Sequence, residues 1–162
     1  MRLLMLTFVR TKELIEAKWD EFDLENAQWV IPPERMKMRN EHIVPLSKQA
    51  LAILHDLKER NQKWEWVFPG HHSPRKHMSN NTILKGLERL GFKGRMTGHG
   101  FRALAMSTIK EKLGYRHEVI DRQLAHAAKS MVTRAYDRAQ FLDERAIMMQ
   151  EYADYLDGQK NG

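Results

Sequence analysis

Cysteine is missing from this chain of 162 residues, which excludes disulfides, a thiol nucleophile and any zinc site built on thiolates. An intracellular setting fits. No apolar stretch nears the roughly 20 residues that a membrane-spanning helix needs. Residues Arg2 to Val9 have the basic residue and short apolar run of a signal peptide, but no small-residue cleavage site follows before Arg10, Lys12 and Glu13. They read instead as half of a buried helix. There is no Gly-x-Ser-x-Gly elbow and no phosphate-binding Gly-rich loop, and His117-Glu118 lacks the second His of a zinc protease motif. His71, His72 and His77 lie in a loop without a nearby carboxylate and read as solvated side chains, so no metal site is expected. Internal repeats and low-complexity segments are absent as well.

What is abundant is positive charge. Lys and Arg number 27 against 21 Asp and Glu, a formal charge of +6 and a pI near 9.6, which favours a polyanionic partner over an acidic metabolite. Many soluble proteins are as basic, so charge alone shifts the balance only modestly. The length suits one domain with one core.

The apolar pattern predicts an α+β fold, mainly α-helical, with a small three-stranded antiparallel sheet. Leu3, Leu4, Leu6, Phe8, Leu14 and Ile15 follow a helical period through about residue 18, which puts Arg10 and Glu13 one turn apart on one face. A chain that opens inside an apolar helix suggests a fragment starting at a domain boundary. Between Trp19 and Leu46 come three short β-prone runs, around Phe22, over Gln28 to Ile31 and over His42 to Leu46, with turns at Glu25-Asn26 and Arg39-Asn40. The last connection is basic and carries Lys37 near its tip. Ser47 caps a packing helix bearing Ala50, Leu51, Ile53, Leu54 and Leu57. Further helices are expected from Ser79 to a stop at Gly91, from His99, from Glu118 to His126, from Ser130 to Arg138, and from Asp143 to Leu156.

Chemistry concentrates in Met96-Thr-Gly-His99-Gly-Phe-Arg102, Leu124-Ala-His126 and Ala135-Tyr136-Asp137. His99 and Arg102, at i and i+3 on one helix, can bring an imidazole and a guanidinium to one phosphate while Leu104 and Ala105 turn to the core. Tyr136 is a candidate nucleophile, but a phenol with a pKa near 10 needs cations or a base beside it. Arg10, Arg102, His99 and His126 are the candidates to activate it. Arg10 near an apolar run needs a carboxylate to hold it, and Glu13 is placed to do so. Each residue alone also fits a plainer reading: a surface His, a salt-bridged Arg, a packed Tyr, a solvated Lys.

Taken together, the order Arg10, Lys37, His99-x-x-Arg102, His126, Tyr136 resembles the catalytic domain of the tyrosine recombinases, the phage-type integrases above all. Phe8-Val-Arg10-Thr-Lys-Glu13-Leu is similar to the family's first-arginine box and His42-Ile-Val-Pro45-Leu to its third strand. Thr97-Gly-His99-Gly-Phe-Arg102 resembles its second box, and Gln123-Leu-Ala-His126 its Leu-Gly-His. Arg35-Met-Lys37-Met-Arg39 resembles integrases of prophages and genomic islands. Ala125 replaces the family's Gly.

The resemblance implies a site-specific recombinase that cleaves and rejoins DNA through a 3′-phosphotyrosine, in prophage or genomic-island integration and excision. Arg10 and Arg102 would clamp the phosphate, with Glu13 behind Arg10. His99 would move the proton of Tyr136, His126 would hydrogen-bond the phosphate, and Lys37 would protonate the leaving 5′-oxygen. No cofactor or metal is implied. The partners implied are double-stranded DNA at attachment sites, further copies in a synaptic tetramer and accessory DNA-bending proteins, with no membrane, in a bacterial cytoplasm at the nucleoid. Residues 1–162 would be the catalytic domain without its N-terminal arm-binding and core-binding domains, and so would bind DNA weakly. Arg35, Arg39, Lys93 and Arg95 are the expected DNA-backbone contacts. Two alternatives stay open: a type IB topoisomerase-like enzyme and a non-catalytic DNA-binding module. The last helix has two possible fates, packing in cis or reaching to a neighbouring protomer.

Overall fold

Helical periodicity at the N-terminus yields two short helices rather than one. In the computed structural model, which describes residues 1–126 and 141–159, α1 spans Arg2–Thr7 and α2 spans Thr11–Ile15. The break falls at Phe8, in the left-handed region at φ 38°, while its ring stays buried and meets Tyr152 edge-on at 5.6 Å. The apolar stripe runs across the break because Phe8 and Val9 are as buried as the helical leucines. Arg10 therefore caps α2 from an extended conformation.

Strands β1 (Phe22–Asp23), β2 (Gln28–Ile31) and β3 (His42–Pro45) form an antiparallel sheet in that order. Trp29 pairs with Phe22 on one side and Val44 on the other. Alternation sends Trp29 and Ile31 into the core, and the Phe22 ring stacks on Trp29 at 4.9 Å. Lys37 lies in the β2–β3 connection, after a 3-10 turn over Pro33–Arg35.

Helix α3 (Lys48–Asn61) starts at Ser47, whose hydroxyl accepts the Ala50 N–H, and buries Ala50 and Leu54. Helix α4 (Asn80–Arg89) ends with Gly91 at φ 80°. There the Gly91 N–H donates to Glu88 O and the Phe92 N–H to Leu87 O, the paired bonds of a Schellman cap. Helix α5 (Gly98–Lys112) follows a cap at Thr97, whose hydroxyl accepts the Gly100 N–H at 3.1 Å. Of the two side chains expected inside, Ala105 is buried but Leu104 is 44% exposed. It lines an apolar groove with Leu90, Phe92 and Met1.

Helix α6 (His117–Gln123) stops three residues earlier than the pattern suggested, because Ala125 turns left-handed at φ 48°. Helix α7 (Leu142–Gly158) packs back onto its own chain, with Met148, Met149 and Tyr152 buried against α1, α5, α6 and β3. Its contacts here are the cis alternative. One apolar core joins α1, the inner face of the sheet and α3 to α7. The α+β expectation, mainly helical around a small antiparallel sheet, holds. Tyr136 and the helix expected over Ser130 to Arg138 lie outside the described residues.

Candidate functional site

Three helix ends meet behind the site: the C-terminus of α1, the N-terminus of α2 and the C-terminus of α6. Arg102, on the second turn of α5, ties two of them together. Its Nη1 donates to Phe8 O at 2.8 Å and its Nη2 to Leu124 O at 2.6 Å, and only 5% of the residue is exposed. Arg10 ties the third: its Nη2 donates to Ala125 O at 3.2 Å. The carbonyl end of a helix carries partial negative charge, so cations belong there.

Glu13 holds Arg10 from the other side. Its carboxylate accepts the Arg10 guanidinium at 2.7 Å and the Arg10 backbone N–H at 2.6 Å, the second bond being the N3 half of a capping box. The expected Arg10–Glu13 pair is therefore present, though as a helix cap rather than as two residues of one helical face. Burial first, and the charge of Arg10 second, push Arg102 down to about 10, with Glu13 opposing. It remains a cation at neutral pH. Two guanidiniums thus share a small space with one carboxylate.

The close approach of α5 to α2 depends on Gly98. A Cβ there would stand 2.1 Å from Thr11 Oγ1, so the second box rests directly on the first. His99 is exposed in the first turn of α5, three residues before Arg102.

His126 is set by the end of α6. The Ala125 N–H donates to Arg122 O and the His126 N–H to Asp121 O, which with the left-handed Ala125 makes a second Schellman cap. The His126 ring meets Asp121 through Nδ1 at 3.0 Å. Behind this turn lies a buried polar cluster. His42 Nε2 contacts Gln123 O at 3.1 Å, and Arg145, fully buried, donates to Gln123 Oε1 and to Ile43 O. Burial, then Arg145, Arg122 and Arg102, depress His42 to about 3 despite the Gln123 bond, so it is neutral and donates to the carbonyl. Burial and Arg122 push Arg145 down to about 9.

The residues predicted from sequence thus divide. Arg10 and Arg102, with Glu13 behind Arg10, come together on the 124–125 carbonyls, and His126 is the next residue along the chain, its ring on Asp121. Lys37 is exposed on its loop, and no hydrogen bond or ion pair joins it to them among the described residues. Arg35, expected on DNA, is engaged with the Glu21 carboxylate and the Glu13 carbonyl. That pair anchors the Lys37 loop to the helix that Arg10 caps, and a DNA contact by Arg35 would have to break it. Arg39 is exposed at φ 52°, Lys93 pairs with Glu88 at 2.5 Å, and Arg95 lies over the Phe92 ring at 5.8 Å. Sequence reasoning missed Gly98, Asp121, Gln123, His42 and Arg145 as supports of the site. The five-residue step from Asp121 to His126 is a Schellman spacing, but Ala125 hides it where Gly would have announced it. Among the described residues no cluster of three or more potential metal ligands forms, and no helix is long and apolar enough to cross a membrane.

This geometry meets a family pattern: the phage integrase family model matches residues 1–142. The chain belongs to the phage integrase family. Among curated relatives, the integrase of Enterobacteria phage P4 is 42% identical over 175 aligned positions, covering 99% of this chain and 40% of that protein. Prophage integrase IntA of Escherichia coli K12 is 40% identical over 158, covering 98% and 38%. The chain therefore spans about two fifths of the length of these integrases. Among solved structures, XerA recombinase has the same fold, with a TM-score of 0.64 over 84% of this chain and 50% of that one, at 19% identity.

Proposed function

We propose that this chain is the catalytic part of a DNA integrase, which breaks and rejoins duplex DNA through a phosphotyrosine in the integration and excision of a prophage or genomic island. The observation that carries the reading is the Arg10–Arg102 pair. Two guanidiniums that hold the adjacent Leu124 and Ala125 carbonyls form a socket for a phosphate that gains charge in its transition state.

In the proposed reaction the Tyr136 oxygen attacks a backbone phosphorus and its proton passes to His99. Arg10, Arg102 and His126 hold the non-bridging oxygens. The bond to the 5′-oxygen breaks as Lys37 gives that oxygen a proton, leaving Tyr136 on the 3′-phosphate. Attack by the 5′-hydroxyl of another strand reverses these transfers and frees Tyr136. The phosphotyrosine keeps the energy of the broken bond, so the scheme needs no cofactor. Lys37 reaches the phosphate from the β2–β3 loop, whose base Arg35 fastens to α2. Exposed Arg39, Lys93 and Arg95 add non-specific contacts to the DNA backbone. Attachment-site DNA, a synaptic tetramer and DNA-bending proteins are the partners this reading implies.

The experiment is a duplex nicked beside the cleavage site, so that the short 5′ strand diffuses away and traps the covalent intermediate. The full-length protein should become joined to its own site, and Tyr136→Phe should bind the same duplex without forming the adduct. No adduct from the unaltered protein would overturn the reading.

A further inference from the structure

His126 can serve a phosphate only if its ring presents an N–H outward, and α6 contains a device for this. In a Schellman cap the residue after the left-handed position lies beside the residue five places earlier, a pair usually filled by apolar side chains. Here those places hold His126 and Asp121. The Asp121 carboxylate receives Nδ1 of His126 on one oxygen at 3.0 Å and Nε2 of His117 on the other at 3.1 Å. His117 is one turn earlier on the same helix, so Asp121 is gripped from both sides. The backbone is fixed as well, through the His126 N–H on Asp121 O.

We infer that Asp121 is a positioning residue for His126: it accepts the Nδ1 proton and so turns Nε2 toward the phosphate, to which the doubly protonated ring donates. A carboxylate accepts and cannot donate, so Nδ1 must be the N–H. In the doubly protonated ring both nitrogens donate, and one imidazolium bridges Asp121 and a phosphate oxygen. That form carries a positive charge next to Arg10 and Arg102, whose guanidiniums hold the carbonyls of the two preceding residues. Asp121 supplies the counter-charge on the far side of the ring. Removing it takes away that counter-charge and the contact that fixes the ring, which can then rotate and turn a C–H edge or a lone pair to the phosphate.

The inference rests on the integrase reading for its purpose but not for its test. Nitrogen-15 spectra of the imidazoles in the 162-residue chain, with His126 assigned through His126→Gln, report which nitrogen carries the proton. The unaltered chain should show Nδ1 protonated, and Asp121→Ala should move the His126 proton to Nε2 with the backbone amide spectrum otherwise kept. An unaltered chain with the His126 proton on Nε2 alone would overturn the inference, even if the variant failed to fold. So would a His126 signal indifferent to Asp121→Ala. On the nicked duplex, Asp121→Ala should slow adduct formation on the order of tenfold, the size of one lost hydrogen bond to a charged group. Combined with His126→Ala it should add nothing further, and an additive loss would count against the inference. If the unaltered protein forms no adduct, the integrase reading fails and the nitrogen spectra alone decide the role of Asp121.

Discussion

Replacing Gly98 by alanine tests whether the two halves of the site are joined as described. Gly98 is the first residue of α5, just after the Thr97 cap, and its φ is not left-handed. On helix propensity alone, alanine is up to about 1 kcal/mol better than glycine, so a free helix start would be stabilised or unchanged. The structure gives the opposite sign. The new methyl would stand 2.1 Å from Thr11 Oγ1 and 3.4 Å from Thr11 Cβ. The second distance is ordinary contact; the first is far inside it. Thr11 is short and opens α2, so relief requires α2 and α5 to part or the threonine to leave its rotamer. Overpacking of this kind costs about 1–3 kcal/mol, which in a chain of this size lowers the melting temperature by about 2–12 °C.

The assay is thermal unfolding followed by circular dichroism, on a double-mutant cycle. Gly98→Ala should melt earlier than the unaltered chain. Adding Thr11→Ala removes Oγ1 and leaves only the 3.4 Å contact, so the double variant should regain most of the loss. Separation of α2 from α5 also draws Arg102 away from Arg10, and adduct formation should fall in Gly98→Ala and recover in the double variant. A Gly98→Ala chain as stable as the unaltered one, or a loss that Thr11→Ala leaves in place, would refute the contact.

Two further outcomes are expected. Ala125 occupies the left-handed position of the α6 cap that Gly91 fills in the α4 cap. Ala125→Gly should relieve about 1–2 kcal/mol of strain against about 0.4–1 kcal/mol of added unfolded-state entropy. The expected net gain is roughly 0.5–1 kcal/mol, measured as a raised denaturant midpoint at constant slope. His42 is neutral in the fold down to about pH 3 but takes a proton in the unfolded chain below 6.5. The unfolded state then binds more protons across that window, so stability is full above pH 6.5 and falls as pH drops. At pH 5.5 the loss is about 1.4 kcal/mol, and denaturant titrations of His42→Gln between pH 5 and 7 should lack this slope.

Helix periods, strand alternation and cap residues made most of the architecture legible before any coordinates, because those signals are local. Ser47 caps where its hydroxyl suggested. The break after α1 was not legible, since its left-handed residue is a buried Phe8 rather than a glycine, and tertiary packing against Tyr152 outweighs local preference there. Leu104 went to the surface because the groove it lines is apolar without being closed. The order of Arg10, His99, Arg102 and His126 was visible, but how they are held was not. Their partners are mostly backbone carbonyls, which no side-chain pattern records. The long-range pairs were equally hidden: Arg35 with Glu21, and Arg145 with Gln123, join residues 14 and 22 apart in sequence. Tyr136 is known here through its place in the sequence alone.

The choice of partners also sets Arg10 and Arg102 apart from four other arginines. Arg2, Arg60 and Arg116 each meet a carboxylate at the surface, and Arg35 meets one inside; in each case the charge is answered within the protein. Arg102 has the Phe8 and Leu124 carbonyls, and Arg10 adds Ala125 O to its bond with Glu13. A carbonyl orients a guanidinium through a charge-assisted hydrogen bond, yet cancels none of its formal charge. Glu13 therefore offsets one cation of two, and the pocket keeps about one net positive charge in a partly dry setting where it acts strongly. A second carboxylate beside Arg102 would hold it equally well and would also repel the phosphate. The carbonyls at the ends of α1 and α6 thus do what acidic side chains cannot: they fix both arginines in place and leave their charge uncancelled, as the proposed reaction requires.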